Sequence, residues 1–450
     1  MADSSLLPVR RPLDPNVVLT GGALAVVALE AAYRHWLSIP LLLAEGLVAG
    51  AALLYAWFER DRLRLDAVVA IAVGLQLALL AVHLGLDVRG DKDSSTVFRW
   101  QGNGFNRGDY PRSEYPVGAV LLFGLEAWLG GGATRTVNAL LMIPFQAVAI
   151  VSLWLTRLPG APWLAAVIGL WPLNAFYWQY KFDLAPAAFL ALGLLLAWRG
   201  RFGWSGVALG AGALVKWTPG LTAVALVAWL LGSRRSREAL VHAAAFVFTV
   251  AIVYVPLLAW APDEVLAAYE RQSGRKVTPE SIWYLLLRPF DQAHVRTHIS
   301  FSAGAPNWAN VAAGVLQAAL VLLVIVLAAR ARSPRSAIAL AALAPTVFLL
   351  TNRIFSPQFV LVLFVSWAFA AALVLESPRA QLAAGIAMCT ASLGNAFVYP
   401  FALPRYAVTW PLCSAVLFVV GVVLTLWLAR RATSATATTV PIAASASAST

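Results

Sequence analysis

The sequence predicts an all-α polytopic membrane protein: a bundle of roughly 12–14 transmembrane or re-entrant helices with two long polar loops on one side. Three observations predict it. Of 450 residues, 60% are hydrophobic and only 12% charged, which is more apolar surface than a water-soluble domain of this length buries. Apolar runs of about 17–25 residues recur along the chain, the length that crosses a hydrocarbon core of about 30 Å at 1.5 Å per helical residue; the alternating ten-residue segments of a β-barrel are absent. The net charge of +12 is divided into short arginine clusters between those runs. That arrangement orients membrane helices and argues against a nucleic-acid partner, which would select a basic face or tail.

Taken in order, Arg10 and Arg11 precede the first apolar run, which lacks a convincing cleavage site and is therefore read as a retained span. With these arginines in the cytoplasm, a span at about 17–33 leads out and a second at about 39–57 returns to Arg60, Arg62 and Arg64. A third, at about 66–86, leads out again. The loop 87–115, with five acids and five bases, then lies outside. The run 116–130 is short, carries Glu126 and ends in three glycines; were it to cross, every later arginine cluster would be inverted. It is expected to lie along the outer surface or to dip in and return, so that the first outer loop extends over about 87–135.

Spans at 137–156, 161–177 and 182–198 place Arg157, Arg199 and Arg201 inside. Basic residues flank the stretch 205–232 at both ends, and Lys216-Trp217-Thr218-Pro219 lies in its middle. It is too short for two full spans and is expected to form a broken re-entrant hairpin of two short helices. A span at about 239–258 reaches the second outer loop, 260–306. Five more, at about 307–329, 337–351, 357–375, 380–397 and 408–428, return Arg330, Arg379 and Arg430 to the cytoplasm. The membrane domain thus covers 1–432, with both termini cytoplasmic. The Ala-, Ser- and Thr-rich residues 433–450 read as a disordered tail.

Charged groups at membrane depth or at its outer edge are costly, so those that persist there are candidates for chemistry. Four places qualify. The first outer loop carries Asp91, Asp93 and Asp109, followed by Glu114-Tyr115-Pro116; an aspartate at the mouth of a membrane cavity is a suitable general base for a sugar hydroxyl, and a solvated loop is the plain alternative. Gln179-Tyr180-Lys181-Phe182-Asp183 joins two spans, where Asp183 either caps a helix or orients a substrate. Lys216 lies deep enough to need a counter-charge or a phosphate unless it snorkels outward. Finally, Arg271, Arg275, Glu280 and Ser281 in the second loop, with Arg353 and Gln358 between two later spans, offer cations that together hold a phosphate.

The histidines show no metal-ligand spacing with the acids. There is no glycine-rich nucleotide motif and no nucleophile elbow, so no metal and no cofactor is expected. Cys389 and Cys413 lie inside apolar runs and read as core residues.

In order and placement, these motifs (the acidic outer loop, Glu114-Tyr115-Pro116, Gln179 to Asp183, Lys216-Trp-Thr-Pro219, Glu280-Ser281 and Ser356-Pro357-Gln358-Phe359) resemble the GT-C superfamily of membrane glycosyltransferases. The resemblance is closest to bacterial polyprenyl-phosphate-mannose-dependent mannosyltransferases of the phosphatidylinositol-mannoside elongating type, and runs from about 66 to 430. It implies a GT-C-like bundle, a polyprenyl-phosphate-sugar donor, a glycolipid or glycan acceptor reached from the extracytoplasmic side of the plasma membrane, and inversion at the anomeric carbon. Asp93, with Asp91 and Asp109 as rivals, occupies the place of the family's base. Glu114, Tyr115, Gln179, Asp183, Lys216, Arg271, Arg275, Glu280, Ser281, Arg353 and Gln358 fall to substrate binding. The chain departs from the family pattern in having Phe98 near the place of a tyrosine, Val117 in place of a second proline, and a pair of spans ahead of the usual first one. A lipid-linked sugar flippase is the competing class; against it, no paired inverted repeat is visible and the charges gather at the outer edge.

Overall fold

A computed structural model describes residues 12–33, 38–86, 93–131, 133–275, 277–278, 280–288, 306–402 and 409–434. Asp91 and the tail beyond 434 lie outside the described residues. Those residues form helices and contain no strand. Ten helices are long and apolar enough to cross a membrane, or eleven if a bent pair counts as one span, and four shorter apolar helices accompany them.

The N-terminal part comprises α1 (Pro15–Ala32), α2 (Ile39–Phe58) and α3 (Leu65–Gly85). Asp14 and Ser38 cap the first two by accepting from Asn16 and Leu41 N–H groups, and a proline at the first turn of each has no N–H to satisfy. A π-helical turn, Asp93–Phe98, leads into α4 (Arg99–Asn106), followed by α5 (Val117–Gly130) and α6 (Thr134–Trp154). Next come α7 (Ala161–Leu170), α8 (Ala175–Tyr180), α9 (Leu184–Trp198), α10 (Phe202–Val215), α11 (Thr218–Gly232) and α12 (Ser236–Trp260). The remainder is α13 (Pro262–Gly274), α14 (Ile282–Leu287), α15 (Asn307–Ala329), α16 (Pro334–Thr351), α17 (Val360–Val374), α18 (Pro378–Ala396) and α19 (Thr409–Ser434).

Burial grades across the bundle as it must when lipid replaces water around it. Every residue of α17 except its last is buried, so α17 is a central post, whereas only 6% of the apolar stretch of α12 is enclosed by protein. Helices in such a solvent gain from close backbone approach, and small residues allow it. Gly206 and Gly210 of α10 face α12; a Cβ at Gly206 would lie 2.3 Å from the His242 carbonyl oxygen. Toward α5 a Cβ at Gly118 would lie 2.6 Å from the Leu214 carbonyl carbon. Together these contacts seat α10 and hold the residue that follows it.

Contacts between elements define the two ends of the bundle. At one end the Trp198 indole donates to the Thr156 carbonyl, the Arg199 guanidinium to the Leu155 carbonyl, and the Gln381 amide to the Pro159 and Leu375 carbonyls. At the other, the Asn395 amide donates to the Pro357 carbonyl and the Tyr177 hydroxyl to the Tyr399 carbonyl. The helix α5 begins beside Leu214 and finishes beside Val137, so it starts and ends at this second end. The short helices α10 and α11 run out from the first end and back, meeting at Lys216-Trp217.

Candidate functional site

The candidate site forms where the chain breaks helical geometry at the second end. Between α8 and α9 the axis bends by 110°, and Lys181 is extended, at φ −128° and ψ 164°. Three polar contacts fix this bend. The Asn138 amide on α6 donates to the carbonyls of Gln179 (2.8 Å) and Lys181 (3.3 Å), and the Arg135 guanidinium lies 4.3 Å over the Tyr180 ring. The bend delivers two side chains to one place, Lys181 and Asp183.

Lys181 Nζ pairs with Asp93 Oδ2 at 2.5 Å. Lys216 Nζ, at the tip of the α10–α11 hairpin, pairs with Asp183 Oδ1 and lies 4.0 Å over the Phe359 ring, a cation–π contact. The two ion pairs are not alike in access. The Asp93 side chain is 34% exposed, whereas that of Asp183 is fully enclosed. Asp183 stands at the N-cap position of α9 but makes no capping bond; its carboxylate is spent on Lys216 instead, with Oδ2 unpartnered among the described residues. Of the two roles the sequence leaves open for Asp183, helix cap is thus excluded.

An aromatic wall joins the two pairs. Phe98 stacks on Phe123 at 4.2 Å, and Phe182 packs edge-on against Phe98, Tyr115 and Phe123. The Tyr115 phenol is pushed well above its ordinary value, first by burial, then by the negative charges of Glu114, Asp93 and Asp183, with Arg275 opposing. Those groups therefore ring it within electrostatic reach. Glu114 Oε2 meets the Arg275 guanidinium at 3.3 Å, and the Gln272 amide donates to the Glu114 carbonyl, tying the second loop to the first.

Thr278, Glu280 and Ser281 border one side. Thr278 N–H donates to the Arg353 carbonyl, and the Thr278 hydroxyl exchanges hydrogen bonds with the backbone of Phe355. Ser281 caps α14 by accepting from Tyr284 N–H. Burial raises the Glu280 carboxyl to about 7, against the lowering effects of its own backbone N–H, the Thr278 hydroxyl and Arg275.

Of the residues singled out in the sequence, the fold gathers Asp93, Glu114, Tyr115, Asp183, Lys216 and Arg275, with Glu280 next to Arg275. Gln179 lies buried behind them, bound to His83. Arg353 turns its guanidinium to the Ser273 and Asn310 carbonyls, so it braces the second loop. Asp109 and Arg271 are exposed and share no ion pair with the cluster among the described residues. Gln358 is half-buried beside Phe359. Lys181 is the residue that sequence reasoning passed over. Its signal was available: a lysine between two apolar runs needs a counter-ion, and an acid was already proposed in the preceding outer loop.

The arrangement presents two partly exposed carboxylates, Asp93 and Glu114, beside several cations, at an apolar, ring-lined edge. That combination suits proton abstraction next to a bound anion. Among the described residues, no group of three or more His, Cys, Asp and Glu side chains is placed to hold a metal ion.

The family model of glycosyltransferase family 87 matches residues 114–357, more than half of the chain, and that range includes Glu114, Lys181, Asp183, Lys216, Arg275, Glu280 and Arg353. Among the curated proteins none matches.

Proposed function

The chain belongs to glycosyltransferase family 87, and from that premise we propose that this membrane glycosyltransferase moves mannose, a hexose, from a polyprenyl-phosphate carrier to an extracytoplasmic glycolipid or glycan, with inversion. Asp93 acts as general base. An acceptor hydroxyl oxygen forms its bond to the anomeric carbon and passes its proton to the Asp93 carboxylate. On the opposite face the bond from that carbon to the phosphate oxygen breaks, and polyprenyl phosphate leaves with the electron pair. Lys181, Lys216 and Arg275 stabilise the developing phosphate charge, an effect worth roughly 3 kcal/mol per contact in comparable sites. Glu114 orients Arg275, Asp183 holds Lys216, and Arg353 secures the loop that carries Glu280 and Ser281.

The observation that supports this reading is the partly exposed Asp93 carboxylate, held by the buried Lys181, beside the enclosed Asp183–Lys216 pair. A base there would be reachable from the mouth of the bundle and would lie next to cations. The proposed orientation, with this end extracytoplasmic, is supported by the arginine clusters at the opposite end.

The test is incubation of the purified protein with radiolabelled polyprenyl-phosphate-mannose and a membrane lipid extract. Labelled glycolipid is expected, and should vanish in Asp93→Asn. Movement of labelled carrier across a vesicle without a glycosylated product would establish the flippase alternative instead.

A further inference from the structure

The helices α1 and α2 precede the region matched to the family, yet they send buried polar groups toward the site. Glu30 on α1 is 5% exposed, Glu45 on α2 2%, and His83 on α3 is fully enclosed. Glu30 Oε2 meets His83 Nε2, and His83 Nδ1 lies 2.8 Å from Gln179 Oε1. We propose that this chain, Glu30–His83–Gln179, holds the 179–183 bend in register, making Glu30 and His83 positioning residues for glycosyl transfer.

Proton counting supports a closed chain. An amide oxygen only accepts, so the His83–Gln179 link needs a proton on Nδ1. One further proton sits between Nε2 and Glu30. Two protons over one imidazole and one carboxyl leave zero net charge, the state that membrane burial favours. Every link is thereby made at no cost in buried charge.

The chain ends where it matters. Gln179 is two residues from Lys181, and Asn138 clamps both of their carbonyls, so a displacement at Gln179 is passed to Lys181 and through the bend to Asp183. For stability alone, apolar side chains would fill these positions as well. Three polar groups from three helices define instead one position for the bend.

The inference rests on the reaction taking place beside Lys181 and Asp183, and is independent of the donor's identity. Its test is competitive acetic-anhydride labelling of Lys181 in folded, detergent-purified protein, read by mass spectrometry. In Glu30→Leu, His83→Phe and Gln179→Leu, Lys181 should label about tenfold faster, and where transfer is measured kcat should fall about tenfold with acceptor KM within about twofold. Glu30→Gln should restore wild-type behaviour, because its amide donates to Nε2 and leaves the Nδ1 proton for Gln179. If Glu30→Leu does not fold, Glu30→Asp, which shortens the link by one carbon, replaces it. Lys181 reactivity within about twofold of wild type in the apolar variants, or a Glu30→Gln protein as impaired as Glu30→Leu, overturns the inference. A wild-type protein that transfers nothing from polyprenyl-phosphate-mannose counts against the donor assignment, and the labelling still decides this one.

Discussion

The two ends of the bundle handle charge in opposite ways. At the site end, Lys181 reaches across 88 residues to Asp93, Lys216 across 33 to Asp183 and Arg275 across 161 to Glu114. At the other end the pairs are Arg62–Glu59, Arg64–Asp66 and Arg235–Glu238, two or three residues apart and substantially exposed. Local exposed pairs form in any conformation and contribute little beyond orienting the helices. Distant pairs exist only once the fold is complete, and the two whose lysines are largely buried carry a desolvation cost that stability does not explain. The difference separates charges suited to orienting helices from those to which we assign the chemistry.

Four substitutions test that division. The largest effect is expected for Asp93→Asn, which should lower transfer by about 10²–10⁴-fold while donor binding persists; unchanged turnover would remove Asp93 from the chemistry and erase the contrast. Next, Lys216→Ala leaves the Asp183 carboxylate enclosed without its cation, a loss of about 3–5 kcal/mol in a buried pair. The double variant Lys216→Ala with Asp183→Asn should regain thermal stability but not affinity for polyprenyl phosphate. Recovery of both would reduce the pair to a structural strut.

Glu280 gives a smaller, pH-dependent effect. Its folded value of about 7 lies above the ordinary 4.5, so the native state retains the proton between these values. Stability present below pH 4.5 is therefore lost as pH rises toward about 7, by up to roughly 3 kcal/mol. Glu280→Gln should flatten the fall of melting temperature between pH 5 and 7, whereas a slope equal to wild type would place the titrating group elsewhere. The smallest effect is expected at the opposite end, where Arg64→Ala should shift the melting temperature by no more than about 1 °C. A large shift there would mean that exposed local pairs matter more than their geometry implies.

Much of this organisation was legible in the sequence, for reasons of solvent. Lipid demands long apolar runs and penalises every stray charge, so both the helical class and the unusual status of Asp183 and Lys216 show directly, whereas the first outer loop offers Asp91, Asp93 and Asp109 without a choice among them. What the sequence leaves open is partnership. Lys216 calls for a counter-charge, but only the 110° bend at Lys181–Asp183 reveals that the counter-charge is Asp183. Arg353 reads as one more cation until its guanidinium is seen engaged by the Ser273 and Asn310 carbonyls. Glu30 and Glu45 sit in ordinary apolar runs, and nothing local distinguishes a solvated acid from one bound to a histidine 53 residues away.

The α10–α11 hairpin carries one more consequence. Its ascending arm has 14 residues, about 21 Å of helix against a hydrocarbon thickness of about 30 Å. Lys216 therefore stops short of the far headgroup plane. A carrier that meets its cation at that depth keeps its isoprenoid tail dissolved in hydrocarbon throughout the encounter, preserving about 0.8 kcal/mol per buried methylene. Turnover should then follow the mole fraction of carrier within the bilayer, so that adding inert phospholipid slows the enzyme although the amount of carrier per millilitre is unchanged.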